Sequence, residues 1–489
     1  MIFLKHDLDG FENDLRVIIQ AFYYNEKVVS GDALSRVQTS EPELEERFTL
    51  EATACKQGVL LRLQEKEKCV EEQVAECDLQ DKKIARNAIH ATLYHMLVKY
   101  TGKTLPWGDL TGVRPTKLAT ELVEQGTSDE DIKSYFMDTY FTTEQKADMC
   151  IEVARREHEL LKGIDFKEEY CLYVGIPFCP TRCLYCSFAS YPLAMYAGKV
   201  DAYLDALEQE IIYAAKAYEQ KRLIAIYIGG GTPTALNAEQ MDRLLTMLEA
   251  HFDYQHLKEF TVEAGRPDSI DADKLKVLLA HDIKRISINP QTMHDETLKL
   301  IGRAHTVEET KKAFHLAREL GFDNINMDMI VGLPGEDITH VKETLDALKE
   351  LAPDSLTVHS LAIKRAANLN AQMEEYRSLI KGSTNEMLLA VDACARELEL
   401  YPYYLYRQKN IPGNLENIGY AKQGLECLYN ILIMEEKMDI LALGAGASTK
   451  VIFHEENRIE RVENVKNVDD YINRIDDMIA RKRAMFETR

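Results

Sequence analysis

The sequence predicts an α/β protein built around a partial (β/α)6 barrel, with an α/β domain before it and a mostly helical region after it. Chain length is the first reason, because 489 residues favour about three domains and not one small core. The second is that short apolar runs alternate with longer helical patterns in the middle of the chain. The third is that strands joined by helical crossovers form a parallel sheet, since such connections are right-handed.

The first 165 residues predict an accessory α/β domain. A helical pattern near residue 15 is followed by a strand–turn–strand pattern and by a helix that ends at Gly102. A loop then leads to a helix that starts near Pro115, where proline is tolerated because the first-turn N–H has no partner. We place the end of this domain near residue 165.

Residues 166–365 predict the barrel. Helices are expected between the strands, and the active site is expected at the carboxyl ends of the strands. Each of the chemical motifs described below follows one of these strand ends. The six predicted strands are 170–176, 223–229, 259–264, 283–289, 324–332 and 355–361.

Residues 366–489 predict a mostly helical region that covers the active site. Two helical patterns are followed by a loop rich in Tyr, Asn and Gly, then by a buried strand, "DILALGAGAS", and a helical tail.

Composition excludes several function classes. A formal charge of −22 argues against a general nucleic-acid binder, which needs a basic face. No apolar run approaches the roughly 20 residues of a membrane span, and the N-terminus shows no signal-peptide pattern. We therefore expect a cytoplasmic protein whose ten cysteines are reduced.

Three of those cysteines form a cluster. Cys179, Cys183 and Cys186 follow the first barrel strand with the spacing C-x3-C-x2-C, and no second Cys or His pair follows as in a zinc finger. Iron–sulfur clusters normally take four thiolates, so three thiolates on four irons leave one iron open. The other seven cysteines are predicted to be inert.

This motif, with Tyr185 before the last cysteine, resembles the signature of radical S-adenosylmethionine enzymes. The text "YVGIPFC" resembles the oxygen-independent coproporphyrinogen III oxidase (dehydrogenase) family over about residues 168–450, and "LTGVRPTK" its longer branch. The resemblance implies a radical-SAM barrel with a 4Fe–4S cluster, S-adenosylmethionine, a tetrapyrrole substrate and a one-electron reductant such as flavodoxin or ferredoxin.

The first S-adenosylmethionine has predicted contacts on three strand ends. The glycine run "YIGGGTPT" exposes backbone groups, or else forms a tight turn before a helix. A carboxylate after the third strand can hold ribose hydroxyls, or else is a solvated charge beside Arg266. The stretch 443–450 packs against adenine in the family, or is a plain glycine turn. The residues implied by resemblance are Tyr173, Gly230, Gly231, Thr232 and Glu263.

The resemblance also implies positions for a second S-adenosylmethionine. An arginine can clamp a carboxylate through two hydrogen bonds, and an acid in apolar text needs a partner or ligand. The alternatives are surface residues or a structural pair. The matching residues are Tyr185, Gln291, Arg303, Asp328 and Ala362. No residue is assigned a catalytic role.

The implied reaction converts propionate side chains of coproporphyrinogen III to vinyl groups, giving protoporphyrinogen IX. Departures from the family's pattern keep alternatives open. Its N-terminal substrate arm is not evident, and Gly175 stands where the family usually has His. The family's Cys-Gly-Cys is replaced by Cys-Ser-Phe at 186–188, as in heme chaperones of the same superfamily, whose His-Asn-x-x-Tyr-Trp motif is absent at 429–434. A radical methyltransferase that opens heme is a third class. Candidate cations for the acidic substrate are Arg303, Lys364, Arg365 and Arg407.

Overall fold

The computed structural model describes residues 1–24, 26–31, 46–66, 68–361, 383–407 and 415–487. The chain forms two compact units, one of Met1–Arg155 with Leu405–Glu416 and one of Arg156–Tyr404 with Asn417–Arg489. The predicted division into three domains stays a prediction. Ala362, Lys364 and Arg365 lie outside the described residues.

The first unit contains a mixed sheet and several helices. The strands are β1 (Ile2–His6), β2 (Val28–Ser30), β3 (Phe48–Cys55), β4 (Gly58–Glu65) and β5 (Lys68–Glu76), in the order β2-β1-β3-β4-β5. Strand β1 is parallel to β2 and β3, whereas β3, β4 and β5 are antiparallel. The helices are α1 (Glu12–Phe22), α2 (Lys82–Thr101), α3 (Thr116–Glu124), α4 (Asp129–Tyr140) and α5 (Glu144–Leu160), whose last residues enter the second unit.

Local sequence signals set the ends of α2 and α3 as expected. The Asp81 side chain accepts hydrogen bonds from the first-turn amides of α2, and Gly102 ends this helix in the left-handed conformation, with φ +68°. Pro115 stands directly before α3. The core of this unit is formed by one face of the sheet with α1 and α2, and it includes Leu50 and Leu93.

All six predicted barrel strands are present in the second unit. Their bounds are β6 (Glu169–Ile176), β9 (Arg222–Gly230), β10 (Glu259–Glu263), β11 (Arg285–Ser287), β12 (Asn324–Val331) and β13 (Ser355–Ser360), and the short β7 (Phe178–Cys179) and β8 (Tyr191–Pro192) form a separate pair. The six strands are hydrogen-bonded in chain order and all are parallel. Their carboxyl ends therefore lie along one edge of the sheet.

Helices follow the strands as the alternation predicted. They are α6 (Leu193–Tyr196), α7 (Val200–Ala217), α8 (Ala238–His251), α9 (Ala272–Ala280), α10 (Asp295–Leu300), α11 (Val307–Leu320) and α12 (Ile338–Leu351). Capping boxes begin α8 and α11, where Asn237 and Thr306 each exchange hydrogen bonds with the third helical residue.

The C-terminal region has the second predicted helix and the helical tail, and it also extends the sheet. The first helical pattern, 369–382, lies outside the described residues. Its helices are α13 (Thr384–Glu397), α14 (Leu428–Glu435), α15 (Val468–Asn473) and α16 (Ile475–Phe486). Its strands are β14 (Tyr401–Arg407), β15 (Glu416–Ala421), β16 (Asp439–Leu443), β17 (Ser448–Phe453) and β18 (Arg458–Glu463). Among the described residues the sheet order is β14-β15-β13-β12-β11-β10-β9-β6-β16-β17-β18.

Strand β16 is the predicted buried strand, and its partner is the first barrel strand. Asp439 to Leu443 pair in parallel with Tyr170 to Val174 of β6. A seventh parallel strand thus joins the barrel sheet at the end opposite β13. None of the helices in the described ranges has the length and apolarity needed to cross a membrane.

Candidate functional site

The cysteine loop leaves the carboxyl end of β6. Cys179 is the last residue of β7, Cys183 is 8% exposed, and Cys186 is half-buried. The loop is held by its own backbone and by the barrel, since the Cys186 amide donates to the Cys183 carbonyl at 3.2 Å and the Leu184 amide to Ile301 at 3.0 Å. All three are free thiols within eight residues.

The chemistry around these thiols fits an iron–sulfur cluster. Burial raises the pKa of Cys179 to about 11 and also raises that of Cys186, so an uncompensated thiolate is disfavoured there and a cation would stabilise it. Within the described ranges, no group of His, Cys, Asp and Glu is arranged to hold a single metal ion.

The glycine run after β9 packs against the chain that leads into the cysteine loop. The Gly231 amide donates to Ile176 O and the Thr232 amide to Phe178 O, both at 2.7 Å. A Cβ at Gly231 would lie 2.6 Å from Phe178 O. The close approach that requires glycine here is thus between two strand ends, while Thr232 Oγ1 donates to Cys179 Sγ at 3.5 Å.

Glu263, the last residue of β10, packs against the glycine run, since a Cβ at Gly229 would lie 2.9 Å from its carboxyl carbon. Its carboxylate accepts a hydrogen bond from Tyr227 Oη at 2.6 Å. Burial raises the pKa of Glu263 to about 7, against the lowering effect of that hydrogen bond. A half-buried acid that titrates near neutrality can accept hydrogen bonds from ligand hydroxyls when it is ionised.

Three tyrosines, Tyr173, Tyr227 and Tyr429, stack beside Glu263. Of these, the sequence analysis predicted only Tyr173 as a site residue. The ring centroids of Tyr227 and Tyr429 are 4.7 Å apart, and that of Tyr173 lies 6.4 Å from Tyr227 and 6.2 Å from Tyr429. Tyr429 comes from α14, whose first-turn amides donate to Glu259 of β10. The stretch 429–434 was noted only for the chaperone motif that it lacks. Nothing local indicated that Tyr429 stacks on Tyr227, because that partner lies about 200 residues earlier in the chain.

Gln291 has an unusual backbone conformation. It adopts φ +68°, which side-chain-bearing residues seldom do, and it is 6% exposed. Its amide donates to Asp328 O at 2.9 Å, while its side-chain Oε1 has no hydrogen-bond partner among the described residues. Strained, buried and unsatisfied groups of this kind concentrate at ligand sites.

Asp328 and Arg303 flank Gln291. Asp328 Oδ1 accepts a hydrogen bond from Asn326 Nδ2 at 2.7 Å. Arg303 is 7% exposed and donates to Asn289 O at 2.6 Å and to Tyr185 Oη at 3.2 Å. Arg303 also interacts with the Cys183 thiol, and Tyr185 packs on the apolar cluster formed around Leu298 and Leu333.

The structure brings most predicted site residues to one edge of the barrel sheet. Arg407 is the exception among the described candidates, because it lies in the first unit, is 3% exposed and donates to Leu110 O at 2.6 Å. Buried polar atoms without a hydrogen-bond partner in the described ranges also occur after β11, on the side chains of Asn289 and His305.

Comparison with known proteins identifies the family of this chain. Residues 173–348 match the Radical SAM superfamily. The oxygen-independent coproporphyrinogen-III oxidase-like protein HemZ of Bacillus subtilis is 41% identical over 398 residues, which cover 81% of this chain and 79% of that protein. The chain belongs to the coproporphyrinogen III oxidase-like family of radical SAM proteins. Members of this superfamily use a 4Fe–4S cluster and S-adenosylmethionine, so these are the cofactors of the site.

Two further relatives bear on the reaction and the fold. The heme chaperone HemW of Bacillus subtilis is 33% identical over 311 residues, covering 63% of this chain and 76% of that protein. The structure of coproporphyrinogen III oxidase (HemN) from Escherichia coli, described as a radical SAM enzyme, matches with a TM-score of 0.52 at 24% identity, over 65% of this chain and 71% of that one. The family thus contains both oxidases and chaperones, and the barrel fold is shared.

Proposed function

We propose that this protein is an oxidoreductase that converts propionate side chains of coproporphyrinogen III to vinyl groups, giving protoporphyrinogen IX. The observation that carries the proposal is the placement of Glu263, Gln291 and Arg303 at or after the carboxyl ends of β10 and β11, beside Asp328 of β12, on the sheet edge from which the cysteine loop leaves. The oxidase resemblance predicts two S-adenosylmethionines there. The 41% identity to an oxidase-like relative over most of the chain supports the same reaction.

The reaction balances as a two-electron oxidation with decarboxylation. Each propionate loses a hydrogen atom from its β-carbon, carbon dioxide from its carboxylate, and one electron to an acceptor. The bound cluster and S-adenosylmethionine supply the hydrogen-atom abstraction when a reductant such as flavodoxin or ferredoxin provides the electron. The protein's part is to hold these groups, orient the substrate and keep water away.

The proposed role of Glu263 is to hold the ribose of the first S-adenosylmethionine. Tyr227 fixes one oxygen of the carboxylate, which leaves the other for ribose hydroxyls. Tyr173 and Thr232 are proposed to line the same cofactor, Tyr173 from the tyrosine stack and Thr232 from its position beside the Cys179 sulfur. Gly230 and Gly231 allow the two strand ends to approach closely enough for this arrangement.

The second S-adenosylmethionine is proposed to lie between Gln291, Arg303 and Asp328. The unpaired Gln291 Oε1 can accept a hydrogen bond from the cofactor's amine. Arg303 is held in place through Asn289 O and Tyr185, and the N–H groups outside those two bonds can bind a carboxylate. Asp328, with 20% of its side chain exposed, can accept from further donors.

A heme chaperone is the second candidate, and the Cys-Ser-Phe text favours it. Phe188 is 65% exposed two residues after Cys186, and an exposed aromatic ring there can stack on a flat macrocycle. The relative HemW, 33% identical, carries that description. A third possibility, a radical methyltransferase that opens heme, uses the same cofactors.

One anaerobic assay separates these functions. The protein is reconstituted with iron and sulfide, reduced, and incubated with S-adenosylmethionine and either coproporphyrinogen III or heme. Protoporphyrinogen IX, identified by mass spectrometry, supports the proposal. Stoichiometric heme binding without a new tetrapyrrole supports the chaperone instead, and a methylated, ring-opened product supports the methyltransferase.

A further inference from the structure

Arg266 lies in the turn after β10 and is almost completely buried, with 3% of the residue exposed. Its guanidinium reaches the cysteine loop, where Nη1 donates to Cys183 Sγ at 3.6 Å. The two residues are 83 positions apart in the sequence. A buried cation directed at one of three cluster thiols calls for a physical role beyond packing.

The orientation of this guanidinium is fixed from two sides. Asp268 accepts from Nε at 2.8 Å and from Nη2 at 2.7 Å, a bidentate pair that holds the planar group in one orientation. Thr181 completes the setting, since its hydroxyl accepts from Nη1 and Nη2 at 3.1 Å and its carbonyl from Nη1 at 3.3 Å. The N–H edge opposite Asp268 is thereby aimed at the sulfur.

We propose that Arg266 is a positioning residue that sets the reduction potential of the iron–sulfur cluster by donating to the Cys183 sulfur, with Asp268 and Thr181 holding it in place. Reduction adds a negative charge to the cluster and its sulfurs. Hydrogen bonds to those sulfurs stabilise the reduced form and raise the potential. The inference rests on the cluster and is independent of which tetrapyrrole is bound.

A purely structural role for Arg266 makes a different prediction. Arg266 also ties the loop to the turn after β10 through Thr181 O, so its loss could reduce iron loading alone. In that case, protein that does load a cluster keeps the parent potential. Under the proposal, the loaded variant is harder to reduce.

The first test is a redox titration of the reconstituted cluster, without S-adenosylmethionine or tetrapyrrole. The reduced cluster is monitored by EPR. In R266M, the ratio of reduced to oxidised cluster at the parent midpoint should fall about tenfold, which is about 59 mV for a one-electron couple. The double variant R266M/D268N leaves the net charge unchanged and no buried carboxylate unpaired. It should shift in the same direction by a smaller factor, about threefold.

The matched control is R243M. Arg243 pairs with Asp205 and Glu208 between α7 and α8, away from the cysteine loop, and its loss should leave the potential unchanged. Parent potentials in fully loaded R266M and R266M/D268N would overturn the proposal, as would an equal shift in R243M.

A second measurement does not depend on any variant folding. Parent protein grown with ¹⁵N-labelled arginine should show a ¹⁵N hyperfine coupling to the reduced cluster in pulsed EPR, because the Arg266 guanidinium nitrogen lies against the Cys183 sulfur. Arg303 also interacts with that sulfur, and labelled R303M should keep the Arg266 coupling. Absence of that coupling in the loaded parent overturns the proposal even if R266M does not retain iron.

Discussion

Two buried polar clusters in the second unit each contain a cation–carboxylate pair, but they differ in which groups the pair contacts. One surrounds the cysteine loop, where Arg266 pairs with Asp268 and points at a thiol. The other lies under the glycine turn after β16, where Lys482 and Glu210, both 0% exposed, pair at 2.7 Å. We call the second one the Glu210 network, formed by Glu210, Lys482, Asn464, Tyr471 and the Gly444 amide.

The four donors of the Glu210 network all make hydrogen bonds to Glu210. The two Glu210 oxygens accept from Lys482, Asn464, Tyr471 and the Gly444 amide at 2.5 to 2.8 Å. On the sheet edge that carries the cysteine loop, by contrast, Gln291 Oε1 and both His305 ring nitrogens have no hydrogen-bond partner in the described ranges, and His305 Nδ1 lies 3.9 Å from Asp268 Oδ1. We call a buried cluster saturated when its polar groups all have hydrogen-bond partners, and unsaturated when some do not. A saturated cluster stabilises the fold, whereas an unsaturated one has groups available to bind a ligand.

The comparison predicts that a change at the cysteine loop abolishes function without unfolding the protein. Cys183→Ala should eliminate S-adenosylmethionine cleavage and most iron binding, because an open iron needs all three thiolates. Iron content and 5′-deoxyadenosine release measure this. The exposed Cys69 supplies the control, and C69A should retain both. Cleavage that persists in C183A would remove the cluster assignment.

A change in the Glu210 network should instead lower stability. Lys482→Met leaves Glu210 charged and unpaired in the interior, which should lower the free energy of unfolding by about 3–5 kcal/mol. Urea unfolding of the whole chain measures it. The charge-neutral E210Q/K482M should lose less.

The control for this variant is a surface ion pair. Lys199 pairs with Asp469 at 2.5 Å but is 44% exposed, so K199M should cost under about 1 kcal/mol. Equal stability of K482M and K199M would contradict the idea that saturation makes the Glu210 network structural.

Glu263 belongs to the unsaturated cluster and should make cofactor binding depend on pH. Its folded-state pKa is raised to about 7 from 4.5, so the folded protein holds a proton that the unfolded chain releases. Its contribution to stability is therefore present below about pH 4.5 and lost as pH rises through about 7. Affinity should move the opposite way, since the carboxylate is the better acceptor for ribose hydroxyls.

Anaerobic equilibrium dialysis of S-adenosylmethionine on the reconstituted protein tests this. Affinity should rise as pH increases through about 7 in the parent, and in E263Q it should be about tenfold weaker at pH 8 and nearly independent of pH. A pH step that survives in E263Q would assign the titration to another group.

The smallest expected effect concerns the backbone at Gln291. A left-handed conformation costs a non-glycine residue about 1–2 kcal/mol, so Q291G should be more stable than Q291A by about 1 kcal/mol in urea unfolding. Both should bind S-adenosylmethionine less tightly than the parent. In the exposed first turn of α8 the order should reverse, with E239A more stable than E239G. Equal stability of the two Gln291 variants would mean that this site stores no strain.

Local pattern was enough to predict the barrel strands and the cysteine loop. The apolar run 170–176 predicted β6 to within one residue, because a strand buried on both faces is a continuous apolar segment. Strand β11 was the least accurate, with 285–287 observed against 283–289 predicted. Its flanking residues enter loops whose shape depends on neighbours such as Gly265 and Asn326.

The sequence by itself determined the six parallel strands and the position of three thiols at a strand end, because these follow from periodicity and spacing within short segments. Only the tertiary structure decided which distant groups meet them. It pairs β16 with β6, aims Arg266 at Cys183, stacks Tyr429 on Tyr227, and brings Lys482 to Glu210 across 272 positions. Such contacts depend on the packing of whole elements, since no local pattern encodes a partner that lies elsewhere in the chain.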